Sequence, residues 1–200
     1  QFAVIGNMNA ITYKEIFPLI MNNQIWLDNP FVRGAGYFTS PLELDKSLSY
    51  FNSHDYREGF IRVPGVRWFT NLEHGRRHQP LTLMTMADNI KFSKHKEIKD
   101  IGYSKYDNFD AIEVPFTDAI PSDYDGIMGV PISFLDKYCP EQFEILGSFN
   151  NSSINEKKQE NYVLSKDTAT IINGKECIWN GPVVNKQPLY KRICIRRKHI

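Results

Sequence analysis

The sequence is short of the features that mark several common protein classes. Its three cysteines, Cys139, Cys177 and Cys194, are odd in number and far apart. With no CxxC pair and no Cys/His cluster, neither a disulfide framework nor a zinc site is expected, and free thiols in a reducing cytosol are the simpler reading. No apolar run approaches the ~18 residues of a membrane-spanning helix. Residues 2–5 are too short a run, and lack the basic flank, for a secretion signal. Charge of one sign is not in excess either: 24 Lys and Arg against 23 Asp and Glu leave +1 at pH 7. No global basic field therefore advertises nucleic acid, and any such signal must be local. Hydrolytic catalysis finds no Gly-x-Ser-x-Gly string and no cysteine with an evident histidine partner. The acidic residues at 107–125 match no cation-ligand spacing, so no metal is expected. They read as a solvated face or as a complement to the basic stretch before them.

What is present suits a packed domain: 42% of the 200 residues are apolar and 13% aromatic. The chain opens on Phe2-Ala3-Val4-Ile5-Gly6-Asn7, an apolar strand pattern, followed by helical spacing over 10–21 with Ile16, Leu19 and Ile20 in phase. This is one β-α step of a buried, mostly parallel sheet, whose partner strands are expected upstream of Gln1. A second strand is read at 24–28. Strands at 60–63 and 66–72, joined by Pro64-Gly65, read as an antiparallel closing pair. Gly34-Ala35-Gly36 reads as a turn, because the residues after it make a poor helix start.

Beyond residue 73 the pattern becomes loop-rich. A turn-rich apolar segment at 127–132, a short helix at 133–138 and a strand at 142–147 follow in order. Residues 148–166 read as a surface loop. The tail reads as β-structure: 170–172, an Asn173-Gly174 turn, 176–179, and a basic strand at 190–197.

One stretch carries a local positive charge. Between Arg76 and Lys99 lie six Lys or Arg residues, opposed by Asp88 and Glu97. Arg76-Arg77-His78 follows a sheet strand directly, a position from which a rigid element can aim guanidinium groups at phosphate or at guanine. Lys91, Lys94 and Lys96 suit phosphate contacts, which position a protein without reading sequence. A solvated charged face is the competing reading. Trp68, Phe69 and Tyr103 could stack on bases, with core packing as the alternative, since 68 and 69 point to opposite faces of one strand.

Three strings go further. Phe2-Ala3-Val4-Ile5-Gly6-Asn7-Met8-Asn9-Ala10-Ile11-Thr12-Tyr13-Lys14-Glu15, Trp68-Phe69-Thr70-Asn71-Leu72-Glu73-His74-Gly75-Arg76-Arg77 and Gly129-Val130-Pro131-Ile132-Ser133-Phe134-Leu135-Asp136-Lys137-Tyr138 resemble the EcoRI-type adenine-specific DNA methyltransferases. The closing run 190–198 is similar to that family's last strand. The resemblance implies an α/β fold: the C-terminal half of a Rossmann-like methyltransferase sheet at 1–80, then a loop-rich α+β target-recognition region at 81–200. It implies methyl transfer from S-adenosylmethionine to the N6 amine of an adenine flipped out of double-stranded DNA, in a cytoplasmic restriction-modification system. The glycine-rich cofactor loop and the Asn/Asp-Pro-Pro-Phe/Tyr catalytic motif of that family are not in this sequence. Asn29-Pro30-Phe31 has one proline and follows the wrong strand. The catalytic motif and most of the S-adenosylmethionine site are therefore expected upstream of Gln1, and the isolated chain is expected to be inactive.

Within the chain, Asn7 and Asn9 are candidates for the base or cofactor pocket, with helix capping by Asn9 or Thr12 as the alternative. Arg76, Arg77, His78, Lys91, Lys94 and Lys96 are the DNA-binding candidates. Arg196, Arg197 and Lys198 are weaker ones, set against a frayed basic end. Two rival functions stand beside this: a non-enzymatic nucleic-acid-binding module, and a structural or protein-interaction fragment using the aromatic residues at 31–60.

Overall fold

A computed structural model describes residues 1–28, 31, 34–41, 59–148, 168–172, 175–179 and 181–199. The Asn29-Pro30 pair, most of the aromatic segment 31–60, the loop at 149–166 and the Asn173-Gly174 turn lie outside the described residues. The strands are β1 (Ala3–Asn7), β2 (Trp26–Leu27), β3 (Ala35–Phe38), β4 (Ile61–Pro64), β5 (Val66–Thr70), β6 (Ile112–Glu113), β7 (Met128–Pro131), β8 (Phe143–Ser148), β9 (Thr168–Ile172), β10 (Lys175–Trp179), β11 (Val183–Val184), β12 (Gln187–Pro188) and β13 (Arg192–Arg197). Among the described residues the α-helices are short: α1 (Phe17–Met21), α2 (Met86–Phe92) and α3 (Lys96–Ile101). The architecture is mixed α/β with several sheets.

Two sheets organise the molecule. The first has the order β1-β5-β2, and both pairings are antiparallel. Its register sets Ala3 opposite Thr70 and Asn7 opposite Val66. Gly6 is required here by close approach, since a Cβ at this position would stand 2.9 Å from the Phe69 ring. The second sheet has the order β6-β7-β13-β8, with β6 parallel to β7 and the other pairings antiparallel. The larger of two buried hydrophobic clusters among the described residues draws on both sheets. It joins Ile11, Phe17, Ile20, Leu27 and Phe69 to Met128, Val130, Phe134, Phe143, Ile193 and Ile195. The Phe134 and Phe143 rings meet edge to face at 5.3 Å, a preferred aromatic geometry.

Several sequence expectations are corrected. The first strand is not buried in a parallel ladder: β1 runs antiparallel to β5, and Phe2, Val4 and Ile5 are 40%, 54% and 42% exposed. The helix expected over 10–21 is broken into a 3₁₀ turn, Met8–Thr12, and the short α1. Pro18 accounts for the break, because it lacks an N–H and its ring clashes with the carbonyl four residues before it, so it is tolerated only in a first turn.

The strands around Pro64-Gly65 are not partners. β4 pairs with β3 and β5 pairs with β1 and β2. Only Gly65 separates the two, one residue fewer than the shortest common hairpin loop. Its φ of 69° swings the chain from one sheet into the next. Gly34 likewise has φ of 69°, but Ala35 and Gly36 after it belong to β3 rather than to a turn. The segment at 127–132 contains β7, an interior strand, and 133–138 is mostly 3₁₀ (Ile132–Lys137). The basic end is not frayed. β13 is flanked by β7 and β8, with Ile193, Cys194 and Ile195 no more than 1% exposed.

Candidate DNA-contact site

The chain leaves β5 at Thr70 and turns through Gly75–His78, a single 3₁₀ turn carrying Arg76, Arg77 and His78. Side chains project from so tight a turn in different directions, and these three meet different surroundings. Arg77 is turned inward and is only 8% exposed. Its guanidinium lies 3.8 Å from the centre of the Trp26 ring and donates to Asn23 Oδ1 at 2.8 Å and Glu73 Oε2 at 3.3 Å. His78 is bracketed by carboxylates, with Nδ1 2.8 Å from Glu141 Oε1 and Nε2 2.8 Å from Glu73 Oε1. The hydrogen bonds to Glu141 and then Glu73 raise its pKa, against slight desolvation. The bond from His78 correspondingly holds Glu73 below the usual carboxylate range, opposed by a small desolvation effect. Arg76 is exposed and lines a cleft of about 330 Å³ together with Gln79, Leu81, Thr82, Asp118 and Lys137.

The basic residues of the two helices stand nearby in sequence but differ in engagement. α2 begins at Thr85, whose Oγ1 accepts from the Asp88 N–H, an N-cap that fixes where the helix starts. Lys91 is in its last turn, with Nζ 4.9 Å from the Phe92 ring centre. Lys94, between the helices, pairs with Asp118 at 2.7 Å. His95 donates to or accepts from the same carboxylate at 2.8 Å and stacks on Phe116 at 3.6 Å. Lys96 opens α3 and is exposed. Part of the acidic stretch thus complements the basic one. Asp107, by contrast, accepts from the backbone N–H groups of Asn185 and Lys186, and so closes the β11–β12 turn.

Asn7 and Asn9 are not brought to this cluster. Asn7 faces the first residue of β5, whereas the arginine turn follows its last, so the two lie at opposite ends of the sheet, about 14 Å apart along the strand. Asn7 is itself the cap of the 3₁₀ turn, its Oδ1 accepting from the Asn9 N–H at 2.9 Å, and the Met8 N–H is taken by the Gly65 carbonyl. The Met8 and Asn9 backbone donors are therefore spent within the protein and are not open to a cofactor such as S-adenosylmethionine.

The aromatic candidates are also occupied. Phe69 is in the core, Trp68 stacks on Phe31 at 6.0 Å and Tyr103 Oη donates to the Ala119 carbonyl. Arg196 pairs with Glu144, Arg197 approaches Asp125 and Lys198 Nζ donates to the Pro140 carbonyl. Cys139 and Cys194 are buried thiols. Among the described residues no three metal-ligating side chains converge and no helix is long and apolar enough to cross a membrane. Sequence reasoning missed Lys137, Gln79 and Glu141. Lys137 and Glu141 sit about 60 residues from Arg76 in the chain, and no spacing rule links them to it.

Comparison with known proteins gives the chain its relatives. Residues 1–198 match the family described as "Adenine-specific methyltransferase EcoRI". Type II methyltransferase M.EcoRI of Escherichia coli is 42% identical over 148 residues, covering 73% of this chain and 42% of that protein. Type II methyltransferase M.MpnI of Mycoplasma pneumoniae is 33% identical over 176 residues, covering 82% and 50%. Type II methyltransferase M.MgeORF184P of Mycoplasma genitalium is 31% identical over 181 residues, covering 88% and 54%. The chain thus spans about half the length of these relatives. No solved structure matches it. The family match over residues 1–198, nearly the whole chain, means that this chain belongs to the EcoRI-type adenine-specific methyltransferases.

Proposed function

We propose that this chain is the DNA-recognition part of a site-specific adenine N6-methyltransferase of a cytoplasmic restriction-modification system, acting on double-stranded DNA. The observation that carries this reading is the match to the family over 198 residues, joined to a chain that spans about half of its relatives. Residues 1–80 are the closing part of a Rossmann-like catalytic sheet and 81–200 the target-recognition region, the two sharing one core. The exposed apolar side chains of Val4 and Ile5 in β1, and of Phe2 just before it, suit a strand covered by more of that sheet in the complete protein.

The basic residues divide by role. Arg76 and Lys96 are exposed and contact DNA, and Lys91 adds a phosphate contact at the end of α2. Lys94 reaches phosphate from its exchangeable surface pair with Asp118. Arg77 and His78 position the turn: the first stacks it on Trp26, the second ties it to Glu141. At the other end of the sheet, Asn9 is exposed and lines the pocket for the flipped base, held in place by the Asn7 cap. S-adenosylmethionine, when bound, would supply an electrophilic methyl group for the adenine amine. It is held mainly by residues outside this chain, as is the catalytic motif.

The test compares two proteins on one duplex. The complete methyltransferase should place a methyl group on adenine N6, while the 200-residue chain should bind the duplex and transfer nothing. Methyl transfer by the chain alone would refute the division of labour. Failure of the complete protein to methylate adenine would refute the activity.

A further inference from the structure

The cleft beside Arg76 is built more firmly than a surface depression. One wall is the segment at 76–82 and the other is the end of the Ile132–Lys137 3₁₀ helix. His78 bridges from the first wall to Glu141, just beyond the second. The Gln142 amide then pairs with the backbone of Leu81 at two points, accepting from its N–H at 2.7 Å and donating to its carbonyl at 2.9 Å. Behind the cleft both walls are fastened to the same sheet. Arg77 stacks on Trp26 of β2, and Arg67 of β5 forks onto Asp136, at 2.9 and 3.0 Å, from a site where it is 8% exposed. Asp136 immediately precedes Lys137, so the buried fork fixes the base of that lysine. Rigid walls of this kind hold a ligand without ordering flexible side chains first.

Among the described residues the cleft is lined by two cationic side chains, Arg76 and Lys137, and one acidic side chain, Asp118. Lys137 is exposed and has no carboxylate partner among the described residues. Asp118 is the acidic residue of the lining, and both of its oxygens are already met, one by Lys94 at 2.7 Å and one by His95 at 2.8 Å. Gln79 and Thr82 add neutral donors, while among the described residues no aromatic side chain lines the cleft. That lining suits a phosphodiester and its sugar better than a free nucleotide, whose base would look for a stacking face.

We infer that Arg76 and Lys137 pinch a single backbone phosphate of the DNA between the two walls of this cleft, which makes Lys137 a DNA-binding residue. The inference rests on the DNA-recognition reading above. It is tested on the 200-residue chain with Arg76→Ala and Lys137→Ala, singly and together, by titrating duplex DNA between about 50 and 200 mM salt. Both side chains are exposed, so unchanged thermal midpoints should confirm intact folds. The double variant should lower the slope of log K against log[salt] by about 0.9, the value of one phosphate, and neither single variant should exceed it. An unchanged slope in the double variant overturns the inference. A fall of about 1.8, meaning two separate phosphates, overturns it as well. Saturable binding of AMP that depends on Lys137, with the DNA slope untouched, would assign the cleft to a free nucleotide and likewise overturn it. If the parent chain shows no salt-dependent DNA binding, the wider reading falls with it. A normal parent slope beside an unaffected double variant removes only the cleft.

Discussion

Arg77 shows how adjacent, identical side chains in a sequence acquire different work. Arg76 stays at the surface, whereas Arg77 is folded against Trp26 and bonded to Asn23 and Glu73. Replacing it with Ala removes the ring contact and a buried charge-assisted bond, and should cost about 2–4 kcal/mol in a urea denaturation series. Arg77→Lys should recover only part of this, because an ammonium cannot reproduce the flat stack and the fork together. A loss within the ordinary surface range, about 0.5 kcal/mol, would mean that the inward packing does not stabilise the turn. His78 makes a second prediction, in pH. Its pKa is raised in the folded protein, so its contribution is fully present below the ordinary histidine value of 6.5 and is lost as pH rises through the raised value. Glu73 is lowered, so its contribution is present above 4.5 and fades as pH falls through the lowered value. The clamp should therefore be complete between about 4.5 and 6.5 and weaken on either side. Proton NMR of the His78 ring should give a midpoint above 6.5 that returns toward 6.5 in Glu141→Gln; a midpoint at or below 6.5 in the parent contradicts the bracket.

Short elements here are stapled by side chains more than by their own length. β6 has two residues, yet Glu113 within it receives a fork from Arg192 of β13 at 2.8 and 2.9 Å and a hydrogen bond from Tyr106. Both members of the ion pair are largely buried, at 14% and 10% side-chain exposure. Arg192→Met would strand the carboxylate and should cost about 3–5 kcal/mol. Adding Glu113→Leu should return most of it, since well-packed apolar substitutes for a buried pair are often close to neutral. A cost near that of an exposed pair, about 0–1 kcal/mol, would show that the clip carries no weight. Such long-range pairs also mark what the sequence could not disclose. Strands rich in β-branched and aromatic residues, such as Val66-Arg67-Trp68-Phe69-Thr70 and the run ending at Arg197, were legible from residue type. Their partners were not, because pairing depends on contacts far apart in the chain. Pro64-Gly65 looked like a hairpin by local chemistry, and only the tertiary arrangement sends its two sides to different sheets. The helix expected over 10–21 had the right apolar spacing, but Pro18 overrode it.

At the scale of the whole molecule, the proposed DNA-contact face is half legible in the sequence. The basic run after residue 73 could be read directly, but not which of its members turn inward. Lys137 gave no local signal, since its place beside Arg76 comes from the Arg67–Asp136 fork and the Gln142–Leu81 amide pair. The family resemblance was legible because it lay in long ordered strings, and it extends over residues 1–198. A net charge of +1 leaves little general attraction for DNA, so any affinity must come from the localised cations. The decisive measurement is a titration of duplex DNA with the 200-residue chain as salt is raised from about 50 to 200 mM. Binding that falls linearly in log K against log[salt], with a slope equivalent to several phosphates and a loss on replacing Arg76 and Lys96, is the predicted result. Absence of binding, or binding indifferent to salt, would contradict a DNA-recognition role for this chain.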